Sequence, residues 1–123
     1  MAGLSESIQA RLRVLADTFA DELPRRMQDI AEAARRAGRD STTTEEVRSL
    51  RHHVHKLAGS AATFGFHHVT ACSKRLEHVL DQIVSEGRIP DDRERQSIRM
   101  LVSELGEATR FRSPDDALEE LEE

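Results

Sequence analysis

Three histidines, His52, His53 and His55, fall within four positions of a 123-residue chain that has six in all. Small residues follow at once: Ala58, Gly59, Ser60, Ala61, Ala62 and then Gly65. An imidazole supports proton transfer near neutral pH, metal ligation, or nucleophilic attack through its unprotonated nitrogen. Which of these applies depends on where each ring points, and that is set by the helix beneath them.

Val47, Leu50, Val54, Leu57, Ala61 and Phe64 recur at spacings of three, four, three, four and three, one apolar stripe of a helix. A helix turns about 100° per residue, so His52 lies almost opposite the stripe, His55 roughly 130° from it and His53 roughly 70°. His52 and His55 are therefore predicted to face solvent, and His53 the flank of the core. On the face of His55, Gly59 is one turn on and Ala62 two, with Ala58 beside them. Arg51 and His52 are one turn back and Arg48 two. Glycine inside a helix costs about 1 kcal/mol against alanine, and close approach of another molecule would account for it. An exposed imidazole near Arg51 and Lys56 suits a phosphoryl group, whose negative charge the cations would stabilise. No glycine-rich phosphate loop or other nucleotide-binding motif occurs, so the chain does not read as an autonomous kinase. The phosphoryl group would have to come from another protein.

The elements that position these residues are helices. Leu4, Ile8, Leu12, Leu15 and Phe19 form a first stripe, and Pro24 then interrupts. Met27, Ile30, Ala31, Ala34 and Ala37 continue a thinner one towards Gly38. The region reads as a short leading helical segment followed by a bundle helix, or as one kinked helix. Thr43 or Thr44 caps the histidine helix, with Glu45 and Glu46 in its first turn. A third stripe runs over Val69, Cys72, Leu76, Val79, Leu80 and Ile83 and stops at Gly87. Pro90, Asp91 and Asp92 open a fourth, with Ile98, Leu101, Val102, Leu105 and Ala108 inward. The expected fold is all-α, an antiparallel four-helix bundle over residues 1–112 with a short additional N-terminal helical segment. Residues 113–123 are acidic with few apolar side chains, and are expected to form a disordered tail.

Composition narrows the function classes. There is no Trp or Tyr, and the net charge is −5, a poor match to nucleic acid. No apolar run reaches the roughly 18–20 residues of a membrane span, and no signal-peptide core is present. The single Cys72 allows no internal disulfide, and its place in an apolar stripe marks a core thiol. The expectation is a soluble, cytoplasmic monomer.

The run His55, Leu57, Gly59, Ser60-Ala61 and Gly65, with Leu76-Glu77 on the following helix, closely resembles the histidine-containing phosphotransfer (HPt) domain family. The resemblance implies a four-helix bundle in which His55 accepts a phosphoryl group through Nε2 from the aspartate of a response-regulator receiver domain and passes it to another receiver. It implies receivers or a hybrid histidine kinase as partners. It implies no cofactor of the chain's own, magnesium being held by the receiver. Many members carry lysine three residues after the histidine, where this chain has Ala58. Arg51 and Lys56 are the nearest substitutes, with Lys74 or Arg75 on the next helix as further candidates for the same face. Two rival readings stand beside this one. A receiver-binding helical module would keep the docking surface without transferring phosphate. A metal-binding bundle would use His52 and His55 with His67, His68 or His78, but no Glu-x-x-His motif occurs.

Overall fold

The computed structural model describes the backbone of residues 2–110 and the side chains of residues 5–110. Four helices follow one another: α1 (Ala2–Ala37), α2 (Thr44–Thr63), α3 (His67–Ser85) and α4 (Asp92–Ala108). The expected boundary at residue 112 and the acidic tail lie outside the described residues. Contact is most extensive between α2 and α3, then α1 and α2, α3 and α4, and α1 and α4. The four helices thus close a ring, each antiparallel to the next. No helix among the described residues is long and apolar enough to cross a membrane.

α2, α3 and α4 each begin or end on a local device. Thr43 caps α2, accepting the Glu46 amide while the Glu46 carboxylate accepts the Thr43 amide; Asp91 and Glu94 repeat this capping box at α4. Gly65 and Gly87 take left-handed backbone angles, φ 78° and 65°, which only glycine adopts without strain, and they turn the chain after α2 and α3. Arg95 then ties α4 to the α1–α2 connection, donating to Asp40 at 3.0 Å and to Asp92 at 3.0 Å.

The core follows the periodicity. Val47, Leu50, Val54, Leu57 and Ala61 of α2 are buried with Val69, Leu76, Leu80 and Ile83 of α3 and Ile98, Leu101, Leu105 and Ala108 of α4. Phe19 closes one end, its ring 5.5 Å from Phe64 and 5.1 Å from Phe66. Cys72 is partly buried, and burial pushes its thiol up, away from the reactive thiolate. Ser73 of α3 is fully buried, and its hydroxyl has no hydrogen-bond partner.

α1 decides between two readings and corrects one expectation. Of a separate leading segment and a single helix running through Pro24, the structure has the single helix, continuous from Ala2 to Ala37. Pro24 sits on the exposed side, while Phe19, Ala20 and Leu23 before it and Ile30 and Ala33 after it enter the same core. That shared burial outweighs the backbone hydrogen bond which proline removes, a penalty of about 3 kcal/mol. The first stripe is also not packed throughout its length: Ile8, Leu12 and Leu15 are about half exposed, and burial begins only at Ala16 and Phe19. The reason is length. α1 has 36 residues and its neighbours 20 and 17, so its N-terminal third overhangs the bundle.

The start of α4 also carries the most perturbed carboxylate among the described residues. Glu94 accepts two hydrogen bonds from Arg88, at 2.6 and 2.8 Å, as well as the Asp91 amide. Arg88 holds the Glu94 carboxyl down to about 2. A depressed carboxylate stabilises the fold above its unfolded value, and that contribution is lost as pH falls through the folded one. Stability should therefore drop between about pH 4.5 and about pH 2. In urea titrations across that range, Glu94→Gln should flatten the drop, and an unchanged slope would assign it to other carboxylates.

Candidate functional site

His55 stands midway along α2 with its side chain 63% exposed, and its Nδ1 meets the Glu77 carboxylate of α3, which is 16% exposed. One turn earlier on α2, Arg51 Nε donates to Asp81, one turn later on α3. The two pairs are successive rungs between antiparallel helices, 51 with 81 and 55 with 77. The Asp81 hydrogen bond, and then its charge, raise the Arg51 guanidinium above its already high ordinary value. Ion pairs this exposed contribute at most about 1 kcal/mol each. Their effect is geometric: they fix two long side chains and the ring between them.

The helical phase predicts the other two histidines correctly. His52 is exposed. His53 is half-buried on the opposite flank, beside Asp29, Glu32 and Arg36 of α1. Two residues of helix therefore separate a histidine facing α1 from one facing α3. Among the described residues, no group of three His, Cys, Asp or Glu side chains is placed to hold a metal ion.

With Glu77 ionised, the pair requires the proton on Nδ1, so the neutral ring carries its lone pair on Nε2. Beyond the ring the surface opens. A Cβ built on Gly59 would meet nothing within 4 Å, so no packing within the chain requires glycine there. Ala62, one further turn on, is exposed. An imidazole anchored from behind, with an unencumbered nitrogen and a low surface beside it, can act as a nucleophile towards a group carried on another surface.

Several residues expected around His55 are placed elsewhere. Ala58 is only 4% exposed and so is buried rather than on the surface, on the helix face whose Arg51 and His55 pair with α3. Arg75 faces α4, where it donates to Glu104 at 2.8 Å, and so does not reach the histidine. Lys56 is exposed, but about 100° round the helix from His55. It lies on the flank where Arg26 of α1 donates to Ser60 at 3.4 Å. Arg51, His52, Gly59 and Ala62 remain beside the ring. Glu77 and Asp81 have no place in the expected site, although a signal existed: two carboxylates four apart on α3 match Arg51 and His55 four apart on α2.

A family model for the Hpt domain matches residues 14–122. The chain belongs to the Hpt domain family. Membership brings a phosphotransfer role in two-component signalling, in which Hpt domains work with receiver domains and kinases. No curated protein and no solved structure matches the chain. The matched span contains all of α2, α3 and α4, and α1 from Val14 onwards.

The open space at Gly59 sets two effects against each other. Gly59→Ala should stabilise the Hpt domain by up to about 1 kcal/mol through helix propensity, since the added methyl group meets no atom. It should also weaken docking of a receiver across that surface. Urea unfolding and a receiver-binding titration measure the two, and unchanged docking would remove the reason given for the glycine.

Proposed function

We propose that this Hpt domain is a phosphorelay intermediate, with His55 accepting a phosphoryl group from a receiver aspartate and passing it to a second receiver. The observation that carries this reading is the His55–Glu77 pair, which turns Nε2 outward on an otherwise open helix face. In the forward step the Nε2 lone pair attacks phosphorus, the bond from phosphorus to the aspartyl oxygen breaks, and the receiver recovers its carboxylate. The new bond leaves the ring with both nitrogens substituted and positively charged, and Glu77 opposes that charge from 16% exposed surroundings. The reverse attack by a second aspartate restores the neutral ring. Magnesium belongs to the receiver in this scheme, and the chain supplies position and charge. The partners are receiver domains, the setting is cytoplasmic, and one copy is sufficient.

The missing cation at Ala58 is supplied from α3. The rungs 51–81 and 55–77 bring the next turn of α3 opposite Ala58 and Gly59, and Lys74 lies there, exposed and one turn before Glu77. Lys74 thus stands on the same seam as the ring, whereas Arg75 is committed to α4. Because Ala58 is buried, the helices close tightly beneath this position, and a lysine from the neighbouring helix can lie over the seam.

Incubation with a phosphorylated receiver tests the assignment. Label should transfer to this chain, survive base, be lost in acid, and disappear in His55→Gln. Label persisting in His55→Gln would place the chemistry on another residue, and no label with any receiver would favour a binding module without transfer. Glu77→Gln keeps an acceptor but removes the charge. It should slow transfer by about ten- to a hundredfold, the worth of one charge-assisted hydrogen bond. Lys74→Ala should shorten the phosphohistidine lifetime, while Arg75→Ala leaves it unchanged. The opposite order would reverse the assignment of the cation.

A further inference from the structure

Across the ring from the α2–α3 seam, α1 and α4 make the least contact of any neighbouring helices. A groove of about 400 Å³ runs between them. Its floor is Ala31, Ala34 and Gly38 of α1 with Ile98 and Val102 of α4. The cause is side-chain size. Where α1 turns towards α4 it carries one side-chain carbon or none, and Ile98 and Val102 alone do not fill the space. The bond from Arg95 to Asp40 fixes the register, so Gly38 lies towards Arg95 and Ala31 towards Val102. From Ala31 to Gly38 the floor is about 10 Å long.

The rim is basic. Arg35, Arg95 and Arg99 line the groove, and no carboxylate does. This runs against the chain's balance of 23 acidic residues to 18 basic ones. Two other grooves have mixed charge: Arg36 stands with Asp29, Glu32 and Glu46 between α1 and α2, and Arg75 with Glu104 and Glu107 between α3 and α4. Arg36 pairs with Glu32, and Arg95 with Asp40 and Asp92. Arg35 and Arg99 pair with no carboxylate among the described residues. The Arg95 Nε is buried without a hydrogen-bond partner, a donor that gains from an acceptor. Arg35 and Arg99 are exposed at mid-length of the floor, one on each helix. Packed helices lie about 8–10 Å apart, a gap that two arginine side chains span to meet one anionic group.

We propose that the α1–α4 groove binds a small amphipathic anion, its apolar body on the floor and its carboxylate or phosphate held by Arg35 and Arg99. The volume sets the size. It lies near the lower end of the about 300–1,000 Å³ usual for ligand sites. At about 30 Å³ for each water-sized group, it takes about a dozen non-hydrogen atoms. A partner's helix fits less well, since a floor of about 10 Å gives it only about two turns. The groove is on the far side of the ring from His55, and its ligand is independent of phosphotransfer.

Amide chemical shifts of the full chain, followed during titration with octanoate and with octyl phosphate, test this. At least one of the two should give saturable shifts centred on Ala31, Ala34, Gly38, Ile98 and Val102, half-maximal below about 1 mM. Octanol has the body without the charge, and acetate and inorganic phosphate the charge without the body. Each should bind at least about tenfold more weakly. Arg35→Gln/Arg99→Gln should weaken binding at least about tenfold while keeping the urea midpoint and transfer to His55. Ala31→Leu, which fills the floor and removes no charge, should also weaken it. Absence of saturation with both amphiphiles would overturn the proposal, as would octanol binding as tightly as octanoate, or an unchanged affinity in either variant. Shifts centred on residues 8–15 would overturn it by assigning the amphiphile to the exposed stripe of α1. So would binding to vesicles of anionic lipid without binding of either free amphiphile, which assigns the arginines to a membrane surface.

Discussion

The seam between α2 and α3 is the constraint on which the site depends. Its two polar rungs, Arg51 to Asp81 and His55 to Glu77, contribute little energy to folding because at least one side chain of each is open to water. What holds them in register is the apolar packing beneath, Val54, Leu57 and Ala61 against Val69, Leu76 and Leu80. Burying each of the larger side chains is worth about 1.5–3 kcal/mol. A slip of one residue between the helices would turn His55 away from Glu77 and break the core at the same time. The orientation of the imidazole is thereby secured by the stability of the whole domain.

The same seam explains why small residues gather after the histidine. Ala58 and Ala61 are buried on α2, and Ser73 is buried on α3 with a hydroxyl left unpartnered. Gly59 and Ala62 belong to the outer surface, and a Cβ on Gly59 would meet nothing within 4 Å. One run of small residues thus answers two demands, close helix packing inside and a low surface outside. Only the first lies within the chain. In the proposed function the second serves receiver docking, because no packing within the chain requires glycine at position 59.

α1 differs from the other helices in that its apolar stripe outruns the bundle. Its C-terminal two-thirds complete the core and carry Pro24 without a break, because burial on both sides of the proline holds the helix through it. Its N-terminal third carries the same pattern with no neighbour of matching length. An apolar stripe records that a face is to be buried; it does not record by what. The periodicity from Ile8 to Phe19 is uniform, and yet Phe19 is in the core and Ile8 is in water.

Much was legible in the residues alone. Periods of three and four defined α2, α3 and α4, glycine and capping residues located their ends, and helical phase separated His52 and His55 from His53. The spacing around His55 carried the resemblance to the Hpt family, which the match over residues 14–122 bears out. These are local properties, set by chain geometry over one or two turns. The pairing of His55 with Glu77, the diversion of Arg75 to Glu104 and the burial of Ala58 were decided by how the helices pack. Each depends on the register and rotation of two helices brought together by their cores, and phase along one helix carries no information about either. The sequence determined which histidine faces outward; the tertiary structure decided which carboxylate stands behind it.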